Sequence, residues 1–159
     1  MSTMDRTGPM LTASRPVPFV WRRVAIAWVV MVVAMTLNGA LRVAFLAPPW
    51  GEFWAGVASA LSGIALIQLI ARQAMQVIPP APLSQRVRIA LLWLLLTVAF
   101  EFTFGHYGAG KSWSVLLKNY NLLQGNLWPI VLASLAAAPF LWGRGTLPGS
   151  VSHDPAPNK

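Results

Sequence analysis

Val24 to Leu46 is an apolar run interrupted by Asn38 and Arg42, and Pro48 and Pro49 are expected to stop it. A helix of about 20 such residues is what crosses the roughly 30 Å hydrocarbon layer of a bilayer. Further apolar runs follow at about 53–75, 87–104 and 126–142. Charged residues make up only 10% of the 159-residue chain and apolar residues 56%, against about 25% charged in a typical soluble domain. Too few ionic groups remain to cover a water-facing surface of this size, so the apolar excess is expected to face lipid. The fold expected is all-α: a polytopic membrane protein with a four-transmembrane-helix bundle spanning 21–144. Tails at 1–20 and 145–159 are read as disordered and cytoplasmic. Arg22 and Arg23 also give helix 1 the basic start of a signal peptide, but its run exceeds the usual 7–15-residue apolar core.

Helix 2 opens with Gly56, Ser59, Ala60 and Gly63. Gly56/Ala60 and Ser59/Gly63 are small-xxx-small pairs, which let helix backbones approach closely in lipid, so these four are candidate helix-packing residues. Pro79-Pro80 ends that segment, and Arg86 and Arg88 introduce helix 3. In helix 4, Pro129 falls in the first turn, where a missing N–H is tolerated. Pro139 is expected to kink the end. Between helices 3 and 4, Trp113, Leu116, Leu117, Tyr120 and Leu123 recur at helical spacing. They predict a short interfacial helix over about 112–124, capped by Ser112 and lying on lipid or docked on protein.

The net charge is +8, from 12 bases and 4 acids. The bases sit at the edges of apolar runs, where the positive-inside rule puts them, and do not form the clustered patch that nucleic acid needs. With four crossings, Arg6, Arg15, Arg22, Arg23, Arg72, Arg86, Arg88, Arg144 and Lys159 share one side, and Arg42, Lys111 and Lys118 the other. Both termini are therefore expected in the cytoplasm, and the loop before helix 4 in the periplasm. The eight Trp suit the headgroup zone. With no cysteine, disulfides and thiolate metal centres are excluded. His106 and His153 lie on opposite sides in this topology, so no metal or haem site is expected.

Residues 105–112, Gly-His-Tyr-Gly-Ala-Gly-Lys-Ser, match the phosphate-binding pattern G-x-x-x-x-G-K-[ST] letter for letter. That pattern works only between a buried strand and a helix. Here the preceding run is long enough for a membrane helix, no acid ends an apolar strand to hold Mg²⁺, and the expected side is periplasmic. The match is read as a false positive, with no nucleotide and no other cofactor.

Arg42 and Glu101 are the charges most nearly inside the bilayer. Counted from Arg23 and Arg88 they lie roughly 28 Å and 20 Å along their helices, and an unpaired charge there costs about 2.5–3.5 kcal/mol. Asn38 is one turn before Arg42. These residues suggest an intramembrane polar cluster of Asn38, Arg42 and Glu101, joined by His106. The alternatives are a purely structural pairing that fixes helix register, and snorkelling of Arg42 to the headgroups.

Glu101-Phe102-Thr103-Phe104-Gly105-His106-Tyr107, followed by Ser112-Trp113, Tyr120-Asn121, Gly125 and Leu127-Trp128-Pro129, resembles a signature of small, uncharacterised four-helix bacterial inner-membrane proteins. Asn38 to Arg42 is similar to their Asn-Gly-Ala-x-Arg segment in helix 1. The resemblance implies a fold and an inner-membrane location, and no activity. Three functions compete. The first is a non-enzymatic accessory or assembly subunit with a membrane-protein partner. The second is a small oligomeric transporter or channel using Arg42 and Glu101. The third is a periplasmic-face enzyme using Glu101 and His106, although no catalytic constellation is complete.

Overall fold

The structure, a computed structural model, describes residues 17–78 and 81–143. The two expected tails lie almost wholly outside these residues, as does the Pro79-Pro80 stop. Every regular element described is helical: α1 (Val17–Leu41), α2 (Ala47–Gln76), α3 (Leu83–Thr103), the short α4 (Trp113–Lys118) and α5 (Trp128–Trp142).

The expectation of four membrane-crossing helices does not hold. Among the described residues only two helical stretches are long and apolar enough to cross a membrane: Phe19–Gln76, with 58 residues, and Leu83–Gly108, with 26. α5 has 15 residues, about 22 Å at 1.5 Å per residue, which falls short of a 30 Å layer. The runs assigned to helices 1 and 2 both fall within the 58-residue stretch, which non-helical backbone at Gly51 divides in two. Pro48 and Pro49 do not end a helix; they occupy the first turn of α2, where a proline's missing N–H is tolerated. A π-helical turn over Arg42–Leu46 carries the chain from α1 into them, closed by a bond from the Ala47 N–H to the Arg42 carbonyl.

The chain reverses at Gly51 instead. Its φ of 75° and ψ of 162° fall in a region essentially open to glycine alone. This single residue folds α2 back against α1, so that Asn38 meets Ser59 and Ser62 across the hairpin. A second π-helical turn, Phe104–Gly108, ends α3. Gly105 lets that turn lie close to α4: a Cβ there would stand 2.6 Å from a methyl of the buried Leu116, which would have to shift.

α2 packs against α1 and α5, and α3 packs against α5. The core fills the half of the molecule near the start of α1. It uses Val20, Val24, Ala27 and Met31 of α1, Ile67, Ala71 and Met75 of α2, Ile89 and Trp93 of α3, and Val131, Leu135 and Ala138 of α5. These recur three or four residues apart, one stripe per helix. Two tryptophans join α1 to α3: buried Trp93 donates to the Val24 carbonyl at 3.0 Å, and Trp28 to the Thr97 hydroxyl at 3.1 Å. At this end Arg23 lies over Phe19 and Arg72 over Trp142. Outward faces carry large apolar side chains, among them Val33, Leu37, Phe45, Leu69 and Leu95.

The expected interfacial helix over 112–124 is also corrected. α4 stops at Lys118, and a 3-10 turn over Leu122–Gln124 follows. The Asn121 side chain accepts from the Leu123 N–H, and this local bond competes with continued helix. The apolar stripe splits accordingly. Leu116 is buried, Trp113 and Tyr120 stack on Phe102, and Leu117 and Leu123 face outward.

Candidate functional site

A cavity of about 640 Å³ occupies the half of the bundle opposite the core. α1, α2, α3 and α5 wall it, and the segment from Ala109 to Leu127 contributes to its mouth. Met31, Ile67, Val131 and Leu135 line its inner part, where the cavity meets the core. Arg42, Glu52, Lys111, Asn119 and Asn126 line it farther out, near the helix reversal and the α4 region. Residue types thus change along the helix axis from apolar to polar. Both π-helical turns reach the site, through Arg42 in one and Phe104 and Gly105 in the other. Such turns are frequent at functional sites because they re-aim side chains within a helix.

Three residues of the expected polar cluster line this cavity, yet each has a different partner. Arg42 pairs with Glu52, not Glu101, at 2.9 Å; Arg42 is 33% exposed and Glu52 76%. Asn38 donates to the Ser59 carbonyl at 2.8 Å and to its hydroxyl at 3.1 Å, and accepts from Ser62 at 2.9 Å. Glu101 Oε2 accepts from the Tyr120 hydroxyl and from the Trp128 indole N–H, both at 2.6 Å. Burial and the bond to Glu101 push the Tyr120 phenol above its ordinary range.

His106 stands apart from the other three. Its Nδ1 lies 2.8 Å from the Lys111 carbonyl and its ring stacks on Trp113, and it does not line the cavity. Glu101 and His106 share no hydrogen bond. Among the described residues no three ligating side chains converge as a metal site would require.

The four small residues of α2 have two roles. Gly63 lies where α1 comes close: a Cβ there would stand 2.8 Å from the Met35 methyl and 3.3 Å from the Asn38 amide. Gly56, Ser59 and Ala60 line the cavity, and a Cβ on Gly56 would meet nothing within 4 Å. Their smallness leaves room there.

The phosphate-loop match has the wrong surroundings. A helix, not a strand, precedes it, and the amides of Ala109 and Lys111 bond to the Phe104 and Gly105 carbonyls. Ser112 begins α4, with its hydroxyl on Ser114 and not on the helix backbone.

Several polar contacts had no sequence signal of their own. Glu52 lies ten residues from Arg42, and only a reversal at Gly51 brings the two together. Tyr120 enters the sequence reading as part of the apolar stripe and of the resemblance signature, and Trp128 as part of the signature alone, neither as a partner of Glu101. Gln68 donates to the Ser134 carbonyl and hydroxyl and accepts from Trp142, linking α2 to α5. The chain matches no family model, no curated protein and no solved structure.

Proposed function

We propose that the chain is a membrane-embedded, non-enzymatic protein that holds an amphiphilic molecule, its apolar chain toward the core and its headgroup at the polar mouth. The change in cavity lining from Met31, Ile67, Val131 and Leu135 to Arg42, Lys111 and Asn126 carries this reading. Ligand pockets are largely apolar, with few polar groups to fix orientation, and an amphiphile matches that division. Membrane embedding is supported by the two long apolar helical stretches and the outward apolar side chains. Trp21 and Trp142 near one end, and Trp50, Trp54 and Trp113 near the other, suit two headgroup layers. The end with Arg22, Arg23, Arg72, Arg86 and Arg88 then faces the cytoplasm. A bacterial inner membrane is the location the sequence resemblance implies.

The test is extraction of the tagged chain in mild detergent, with organic extraction and mass analysis of what it retains. One amphiphile at near-stoichiometric yield is expected, with loss in Gly56→Phe, which fills open space. Equal retention by the folded Gly56→Phe variant would remove the cavity from consideration.

A second reading, an accessory subunit of a membrane complex, is favoured by an apolar hollow of Trp50, Trp54, Val57, Ala58 and Leu61 on the outer face of α2. Native mass of the same preparation separates the two readings, since a stoichiometric protein partner would support this one.

A further inference from the structure

We infer that the cavity mouth binds the oxyanion headgroup of an anionic amphiphile on Arg42, and that Glu52 occupies this anchor when the ligand is absent. This rests on the amphiphile reading above and assigns its headgroup chemistry. A guanidinium offers five N–H donors in a fixed fork, and the Arg42 side chain makes one bond, from a terminal nitrogen to Glu52 Oε2. Phosphate and carboxylate match that fork in bidentate fashion.

Glu52 is well suited to give way. It is 76% exposed, and an exposed ion pair is weakly held. It directly follows Gly51, where the helical backbone is interrupted. Lys111 adds a second cation to the same mouth, with no carboxylate partner among the described residues. Glu101 lines the same cavity but is not within ion-pair distance of Lys111; its Oε2 accepts from Tyr120 and Trp128.

The experiment places the full chain in phosphatidylcholine nanodiscs and follows tryptophan quenching by lipids with brominated chains; the part of the quenching that Gly56→Phe removes is the cavity signal, since Trp128 lines the cavity while Trp50, Trp54 and Trp113 are exposed. Brominated phosphatidylglycerol should be preferred over brominated phosphatidylcholine by about two- to fivefold, the scale of one exposed ion pair. Arg42→Gln should abolish the preference and Glu52→Gln should increase it. Glu52→Gln is exposed and nearly isosteric, so it keeps the test decisive if Arg42→Gln fails to fold. Brominated stearate in place of the phospholipid distinguishes a free fatty acid from a lipid headgroup, and a preference for either supports the proposal.

Unchanged preference in folded Arg42→Gln, or a reduced one in Glu52→Gln, overturns it. Equal quenching by both phospholipids, lost in Gly56→Phe, overturns the headgroup assignment and leaves the amphiphile reading standing. Quenching unaffected by Gly56→Phe defeats both. Competition by millimolar inorganic phosphate alone would mark a free-anion site and overturn the amphiphile assignment.

Discussion

The Tyr120 hydroxyl donates to Glu101 Oε2 at 2.6 Å, tying the segment after α4 to the last turns of α3. Trp128, at the start of α5, donates to the same oxygen. One carboxylate thus fixes two chain segments that frame the cavity mouth. A hydrogen bond to a charged group contributes about 1.5–3 kcal/mol, so Tyr120→Phe should destabilise the folded chain by that amount in denaturant unfolding. Glu101→Gln keeps an acceptor and should cost less than Glu101→Ala, which leaves both donors unpaired. Equal stability of wild type and Tyr120→Phe would show that the bond does not hold the mouth together.

Alkaline pH should act on the same contact. The phenol is raised above its ordinary value near 10, first by burial and then by the bond to Glu101. Above that value the unfolded chain releases the proton while the folded chain keeps it. Stability should therefore be full below about pH 10 and fall as pH rises further. In a Tyr107→Phe background, which leaves a single tyrosine, tyrosinate absorbance should appear later for the folded chain than for the denatured one. Coincident titrations would contradict this.

Asn38 ties α1 to α2 through Ser59 and Ser62. Interhelical hydrogen bonds of membrane helices average about 0.6 kcal/mol and reach about 1.7 in double-mutant cycles. An Asn38→Ala/Ser62→Ala cycle should give a coupling energy in that range, and zero coupling would remove the contact from the account of the hairpin.

Two glycines of α2 should respond in opposite directions to alanine. Gly51→Ala places a side chain in a conformation that costs about 1–3 kcal/mol, although a Cβ there meets nothing within 4 Å. Gly56 has equally open surroundings and a helical backbone, so Gly56→Ala should gain about 0.5–1 kcal/mol from helix propensity. Thermal unfolding of the two variants side by side tests the assignment of the reversal to Gly51.

The helical class was legible from the apolar runs, because hydrophobic length and period depend only on local sequence. The first reversal was legible only as the gap between the runs ending at Leu46 and starting at Phe53, and the residue within that gap that makes it, Gly51, was not. Pro48 and Pro49 have the same letters whether they end one helix or begin the next, and a π-helical turn has no compositional signal. The backbone conformation of Gly51, which sets Glu52 against Arg42, has no signal in the spacing of the runs, and this left Glu101 as the apparent partner. The stripe from Trp113 to Leu123 runs past Lys118, where α4 ends, because the local bond of Asn121 competes with the helix and no spacing of apolar residues signals it. Asn38 and Glu101 were legible as residues in need of partners; their partners depend on tertiary contacts that no local spacing encodes.

The π-helical turns at Arg42–Leu46 and Phe104–Gly108 also bear on how this chain tolerates changes of length. A π turn holds one more residue than an α turn over the same rise, and each residue of an α-helix rotates the next by about 100°. Removing one residue from either turn would let it close to an α turn and leave the helix beyond near its present facing, whereas a deletion in the regular helix before it would rotate everything beyond by that angle. At the first turn the deletion would re-aim Arg42 away from Glu52. At the second it would re-aim Phe104 and Gly105 at the cavity wall. Single-residue deletions at these two places should therefore be better tolerated by the fold than deletions within α1 or α3 while still disturbing the cavity, and the spacing of the chain there is as much a part of the site as its side chains.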